Sequence, residues 1–293
     1  MRFGMCGCFL PADMNDVTPA MCRRVRELGF SGIFTRFSAN HPLHTPRHMA
    51  QRARDVIAGE GIRLYQATGF WQNMVHPDES ARAEAVRVIQ AALQLAGWLG
   101  ARGIDTGPGS MAGTVGDHGS MWWPHPANWT AQARRQLVKT LKECASAAED
   151  AGVYLSLEGA QTVTLDCAEV TAEVLDEVDS LWVRSDYDSA NWLTLKTVYD
   201  TPAAINDDFD LLGKHIISCH AKDAWPVNHL NVRVDQGCPG KGMVDFKTLF
   251  ARIEALSPEY PVIAEGNTTE ELPQVSALFH ATARELGIKV LDF

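Results

Sequence analysis

Eight times along the chain a short apolar run is followed by a longer amphipathic stretch, and this alternation restricts the fold more than any other feature of the sequence. Strand-like runs that alternate with helical spacing describe βα units, and successive βα units build a parallel sheet. The strand-like runs fall at residues 2–9, 32–36, 62–68, 103–106, 153–158, 181–188, 215–220 and 262–265. Helices are expected over 18–28, 46–60, 78–99, 130–150, 166–178, 202–212, 246–256 and 270–286. In the fourth of these, Leu137, Val138, Leu141, Cys144, Ala145 and Ala148 return at helical spacing, and Gly152 ends the element. Thr18-Pro19 supplies a side-chain cap and a first-turn proline to the first helix, and Gly29 its stop. Eight such units close an α/β barrel of the (β/α)8 type, a single domain over residues 1–293.

The active sites of such barrels lie at the carboxyl ends of the strands. Four consecutive strands end in a residue able to bind a metal: Glu158 after VYLSL, Asp188 at the end of LWVRSDYD, His220 in HIISCHAKD and Glu265 after PVIA. A lone histidine at a strand end is more often a satisfied core residue than a ligand. Three matching carboxylates reverse that weighting, because a carboxylate at the mouth of an apolar strand is rarely buried without a partner. Two Glu, one Asp and one His would hold a divalent ion. Asp186 competes with Asp188, since the two share one strand face.

Composition narrows the classes of function. Hydrophobic residues make up 46% of the chain and charged residues 21%, enough apolar material for a large core. A formal charge of −10 argues against nucleic acid as a partner. No apolar run reaches the length of a membrane span, and the start of the chain lacks the apolar run of a signal peptide, so a soluble cytoplasmic protein is expected. Seven cysteines without a zinc spacing fit a reducing compartment. Cys6 and Cys8, two apart in a strand, are expected to be small buried side chains on one face.

The sequence resembles the xylose-isomerase-like barrels, the sugar isomerase/epimerase superfamily that also holds inosose dehydratases and endonuclease IV. The motifs that carry the resemblance span nearly the whole chain: LGFSGIF at 28–34, LGARGIDTGPG at 99–109, then SLEG, DSAN, CHAKD and AEG at the four strand ends, with PGKGMVDF at 239–246. The resemblance implies metal ligands at Glu158, Asp188, His220 and Glu265, and its D-x-x-N/H pattern selects Asp188, followed by Asn191. Asp186 is then expected one layer deeper, paired with Arg184. Such an oxygen-rich set with one imidazole suits Mn²⁺, the ion expected here, or Mg²⁺ or Co²⁺. Asn191 stands where endonuclease-type members need a further histidine, so a trinuclear site is not implied. The arginine that ketose 3-epimerases carry after the seventh strand has only Arg233 to match it, out of register.

A long irregular segment at 107–129 and a polar loop at 221–244 follow the fourth and seventh strands, and loops of this length are usually functional. Trp71, Trp122, Trp123, Trp192 and Trp225 all fall in loops on the presumed active-site face, where flat apolar rings suit the C–H faces of sugars. About half of these tryptophans would only seal the barrel top. Lys222 either neutralises a substrate oxyanion or pairs with a carboxylate. His118 and His125 read as solvated loop residues, and Gly240 and Gly242 as a tight loop rather than a phosphate cradle. The reading that follows is a metal-dependent isomerase or epimerase of a sugar, keto-sugar or related polyol. It works through an enediolate, with Glu158 and Glu265 as acid and base. A lyase, decarboxylase or deglycosidase acting on a 3-keto sugar is the alternative. A carbohydrate is the expected partner, and the sequence leaves a homo-oligomer open.

Overall fold

The computed structural model describes residues 1–113, 121–228 and 230–291. Eight parallel strands close into a barrel in the order β1-β10-β7-β6-β5-β4-β3-β2. They are β1 (Arg2–Cys6), β2 (Gly32–Arg36), β3 (Arg63–Thr68), β4 (Gly103–Thr106), β5 (Tyr154–Glu158), β6 (Val183–Asp188), β7 (Ile216–Ala221) and β10 (Pro261–Ala264). Among the described residues eight α-helices follow them on the outside: α1 (Pro19–Glu27), α2 (Arg47–Gly59), α3 (Glu79–Leu99), α4 (Ala131–Ala151), α5 (Ala168–Val178), α6 (Thr201–Leu212), α7 (Phe246–Leu256) and α8 (Leu272–Glu285). This is the (β/α)8 architecture expected from the alternation of runs.

Helix boundaries follow their caps. Thr18 accepts a hydrogen bond from the Met21 amide, Asp78 from Ser80 and Ala81, and Thr130 from Ala133, so each satisfies amides that the first turn leaves open. The apolar stripes of the helices face the outer surface of the sheet, and there Phe3 of β1 packs on Phe250 and Phe279 at ring separations of 5.5 and 5.3 Å. That aromatic contact ties the first strand to the last two helices, beside the β1–β10 pairing that closes the barrel.

Inside the barrel Cys6, Phe34, Tyr65 and Ile263 form a separate buried cluster. The Tyr65 ring lies so close to β2 that a Cβ on Gly32 would come within 2.3 Å of it. Only glycine fits there. A register shift between Ile33 and Phe34 in the β2–β3 pairing lets both Tyr65 and Gln66 serve the interior, because a bulge breaks the strict alternation of sides.

Two expectations about this frame are corrected. The first strand ends at Cys6, because Gly7 and Cys8 take left-handed backbone conformations, with φ of 63° and 58°, and turn the chain; Cys6 is buried but Cys8 is exposed. The polar segment after β7 is not all loop. It carries an antiparallel hairpin of β8 (Asp223–Val227) and β9 (Arg233–Gly237). All seven cysteines are free thiols.

Candidate functional site

Strand alternation aims Phe34 and Arg36 of β2, Asp105 of β4, Glu158 of β5, Asp186 and Asp188 of β6, and Ser218 and His220 of β7 toward the barrel axis. Glu265 follows the last residue of β10. One ligand-type atom from each of Glu158, Asp188, His220 and Glu265 lies within 4.8 Å of the others. The four strand ends do converge, well inside the separation that would rule out a shared ion.

Each member is fixed by its neighbours. Backbone amides of Ala190 and Asn191 donate to Asp188 Oδ1 at 2.8 and 3.1 Å, which leaves Oδ2 facing inward. The Asn191 carboxamide donates to Glu158 Oε1 at 2.6 Å and to the Gly159 carbonyl at 3.1 Å. His220 stacks on Phe34 with ring centroids 4.7 Å apart. Its Nδ1 is 3.0 Å from Glu265 Oε2 and 3.8 Å from Glu158 Oε1. Its Nε2 meets Asp186 Oδ2 at 2.8 Å and Gln66 Oε1 at 2.7 Å. Gln66 in turn donates to Ser218 Oγ at 3.1 Å, and the Ser218 hydroxyl donates to Asp186. Asp186 thus does sit a layer deeper, but its partners are His220 and Ser218. Arg184, the partner expected from sequence, instead contacts His215 Nδ1 at 3.3 Å.

Lys222 stands among the carboxylates, its ammonium 2.6 Å from Asp188 Oδ2, 3.2 Å from Glu158 Oε1 and 3.5 Å from Glu265 Oε2. Burial opposes its charge, yet these three carboxylates raise its pKa well above the ordinary lysine value. Burial likewise works to raise Glu158 and Glu265, but Lys222 and His220 hold both below the usual carboxylate range. For Asp188, burial together with Glu158 and Glu265 prevails, and its pKa rises to about 7. Burial would lower His220, but Asp186 and Glu265 raise it well above the ordinary imidazole value.

The chemistry and convergence of these residues fit a divalent ion. Asp188 Oδ2, Glu265 Oε2 and His220 Nδ1 are buried and outside hydrogen-bond geometry among the described residues, meeting only one another, Glu158 or the Lys222 ammonium as ion pairs. Buried polar atoms of this kind normally have a partner. Here the open atoms come from two carboxylates and an imidazole at one point, which is the donor set of a hard or borderline cation.

A cavity of about 620 Å³ opens above these groups. Glu158, Glu265, Asn191 and Lys222 form its polar floor, with Trp71 and Trp122 on its walls. Trp122 belongs to the segment after β4, and its ring packs over Gly107, where a Cβ would approach to 2.8 Å. Residues 114–120 of that segment, with His118, lie outside the described residues.

Other expected contacts lie elsewhere. Trp123 is partly exposed, and its carbonyl accepts from Ser110 and Asn128. The Trp192 indole donates to the Leu165 carbonyl at 3.0 Å and packs edge-on against Tyr187. Trp225 covers Gly237 within the hairpin. Arg233 pairs loosely with Asp235 at 3.6 Å and borders a separate depression with Leu193 and Gln236. His125 accepts from the Ala127 amide as a local cap. The glycine segment is a tight loop closed on the chain's own carboxylate: buried Asp223 accepts from the amides of Gly240, Gly242, Val244 and Ala224.

Sequence reasoning passed over Arg36, Gln66 and Asp105. The rule that found the four ligands, a charged residue at the carboxyl end of an apolar strand, applies equally to GIFTR and GIDT.

The comparisons with known proteins extend over the same barrel. No curated protein matches the chain in sequence. Among solved structures, 3-keto-D-glucoside 4-epimerase from E. coli superposes with a TM-score of 0.69 at 18% identity, covering 96% of this chain and 99% of its own. A probable 3-DHS dehydratase of petrobactin synthesis from Bacillus anthracis gives 0.70 at 14%, covering 96% and 99%. A xylose isomerase-like TIM barrel protein from Mycobacterium smegmatis, solved in complex with magnesium, gives 0.67 at 17%, covering 95% and 90%. At these identities the structures establish the fold. The sequence profile of the xylose isomerase-like TIM barrels matches residues 22–284, and the chain belongs to that family.

Proposed function

We propose that this protein is a divalent-metal-dependent isomerase or epimerase of a sugar, keto-sugar or related polyol. One observation carries the reading: Glu158 and Glu265 both reach the cavity floor beside the same His220 Nδ1, in a buried cluster whose ligand atoms lie within 4.8 Å of one another. A divalent ion held by Glu158, Asp188, His220 and Glu265 would supply Lewis-acid stabilisation of negative charge on adjacent substrate oxygens. Manganese and magnesium both suit the donor set. One glutamate removes the proton from the carbon beside the carbonyl. The other returns a proton to the neighbouring carbon or the opposite face. Lys222 is paired with both and helps to keep them ionised, while Trp71 and Trp122 offer flat surfaces to the sugar.

The lyase reading keeps a footing in Asp105. Burial, reinforced by Glu158, holds this carboxyl well above the usual range, and it lines the cavity, so it could protonate a departing hydroxyl. Incubating the Mn²⁺-loaded protein with a panel of keto-sugars in D₂O separates the two. An isomerase yields a product of the substrate's mass apart from incorporated deuterium, and Glu158→Gln and Glu265→Gln each lose about 10²-fold or more in kcat, the scale of a general acid–base group. A product lighter by water, carbon dioxide or an aglycone overturns the isomerase.

A further inference from the structure

The cavity contains two cations, and they stand in different situations. Lys222 is saturated by three carboxylates. Arg36, at the end of β2, makes no hydrogen bond among the described residues. Its nearest carboxylate oxygen is Glu265 Oε1 at 3.6 Å, beyond hydrogen-bond reach, and its guanidinium carbon lies 5.3 Å from the centre of the Trp71 ring. The side chain is half exposed and lines the cavity. A guanidinium over an aromatic ring has its face occupied and its N–H edge free, and that edge matches two coplanar oxygens.

We propose that Arg36, backed by Trp71, is the specificity determinant for a carboxylate on the substrate, so that the enzyme acts on keto-sugar acids in preference to neutral keto-sugars. The inference deepens the proposed function and rests on it for the identity of the reacting centre. Pairing supports it: Lys222 is held by three carboxylates, whereas Arg36 has no carboxylate within hydrogen-bond distance among the described residues and is the cavity's cation left to meet a monoanion. A carboxylate fits better than a phosphate. The backbone amides that would cradle a dianion, those of Gly240, Gly242 and Val244, are already bound to Asp223.

Calorimetric titration of the Mn²⁺-loaded protein with D-gluconate, D-glucitol and inorganic phosphate tests this without catalysis. Gluconate and glucitol differ in one terminal carboxylate, and neither carries a carbonyl to react. The wild type should bind gluconate at least tenfold more tightly than glucitol and more tightly than phosphate. Arg36→Gln should reduce gluconate to glucitol's level, and Arg36→Lys, which keeps the charge but loses the fork, should retain only part of the preference. Equal affinities in the wild type, or a preference that survives in Arg36→Gln, overturn the assignment, the latter placing the carboxylate on the ion. Phosphate binding as tightly as gluconate overturns the choice of carboxylate. A gluconate preference that depends on Arg36, in a protein that isomerises no keto-sugar acid, would sink the reaction and leave the anion subsite standing.

Discussion

Lys222→Met removes the one permanent cation among three buried carboxylates, and its consequences can be worked from the distances. At an effective dielectric of about 20, contacts of 2.6, 3.2 and 3.5 Å are each worth roughly 5–6 kcal/mol before desolvation is subtracted. Burying the ammonium cancels most of that gain, and breaking a buried ion pair by deleting one partner costs about 3–5 kcal/mol net. For 293 residues the entropy of unfolding is ~0.6 kcal/mol/K, so the metal-free variant should melt about 5–8 °C below the wild type. The deficit depends on pH. Without the ammonium the folded-state pKa values of the carboxylates rise above their unfolded values, so the folded form gains from taking up protons. The deficit therefore shrinks as pH falls and grows as pH rises through those values. Because Lys222 and a metal ion claim the same oxygens, the variant should bind Mn²⁺ at least tenfold more tightly, and saturating Mn²⁺ should close most of the gap by mass action. Differential scanning calorimetry with and without Mn²⁺, at pH 6 and pH 8, reads all three effects. A metal-free melting temperature within 1 °C of the wild type, or weaker Mn²⁺ binding, refutes the competition between Lys222 and the ion.

Two further outcomes follow from the same geometry. His220 carries its proton to a pH well above the ordinary imidazole value, and a ligand must give it up, so Mn²⁺ affinity should fall about tenfold per unit as pH drops below that raised pKa, with proton release on binding measurable by calorimetry in buffers of different ionisation enthalpy; affinity that does not change between pH 6 and pH 8 contradicts this. Asp223→Asn keeps the shape but removes the charge that four amides converge on, so it should cost about 2–3 kcal/mol and lower the melting temperature by several degrees, and an unchanged melting temperature would show that the cradle does not depend on the charge.

The barrel was legible because its two periodicities differ. β5 and β6 end at Glu158 and Asp188, as the apolar runs indicate, and α7 spans the residues its spacing predicts. Boundaries failed where a backbone conformation, which apolar periodicity does not report, decides the end of an element. The left-handed turn at Gly7 and Cys8 cut β1 short. The hairpin of β8 and β9 was missed because its strands are only half buried and carry Asp, Gln and Arg, so their side chains lack the apolar alternation that marks a core strand.

The site was legible for a related reason and illegible for an opposite one. Glu158, Asp188, His220 and Glu265 stand out because each interrupts an apolar strand at its carboxyl end, where burial without a partner would be costly. Asp105 and Arg36 interrupt theirs in the same way and belong to the same cavity, so the signal extended further than the ligand pattern drawn from it. The pairing of Asp186 could not be read at all. Its partners His220 and Ser218 lie on the neighbouring strand, and Gln66, which joins both, faces inward only because of the register shift beside Tyr65. That shift decides which side chains support the imidazole. Reversing it would turn Gln66 away from His220 and leave Asp186 to hold Nε2 alone. Strand parity predicts which residues can face a barrel's interior, but the choice among them depends on pairing register, which arises from contacts between strands rather than within one.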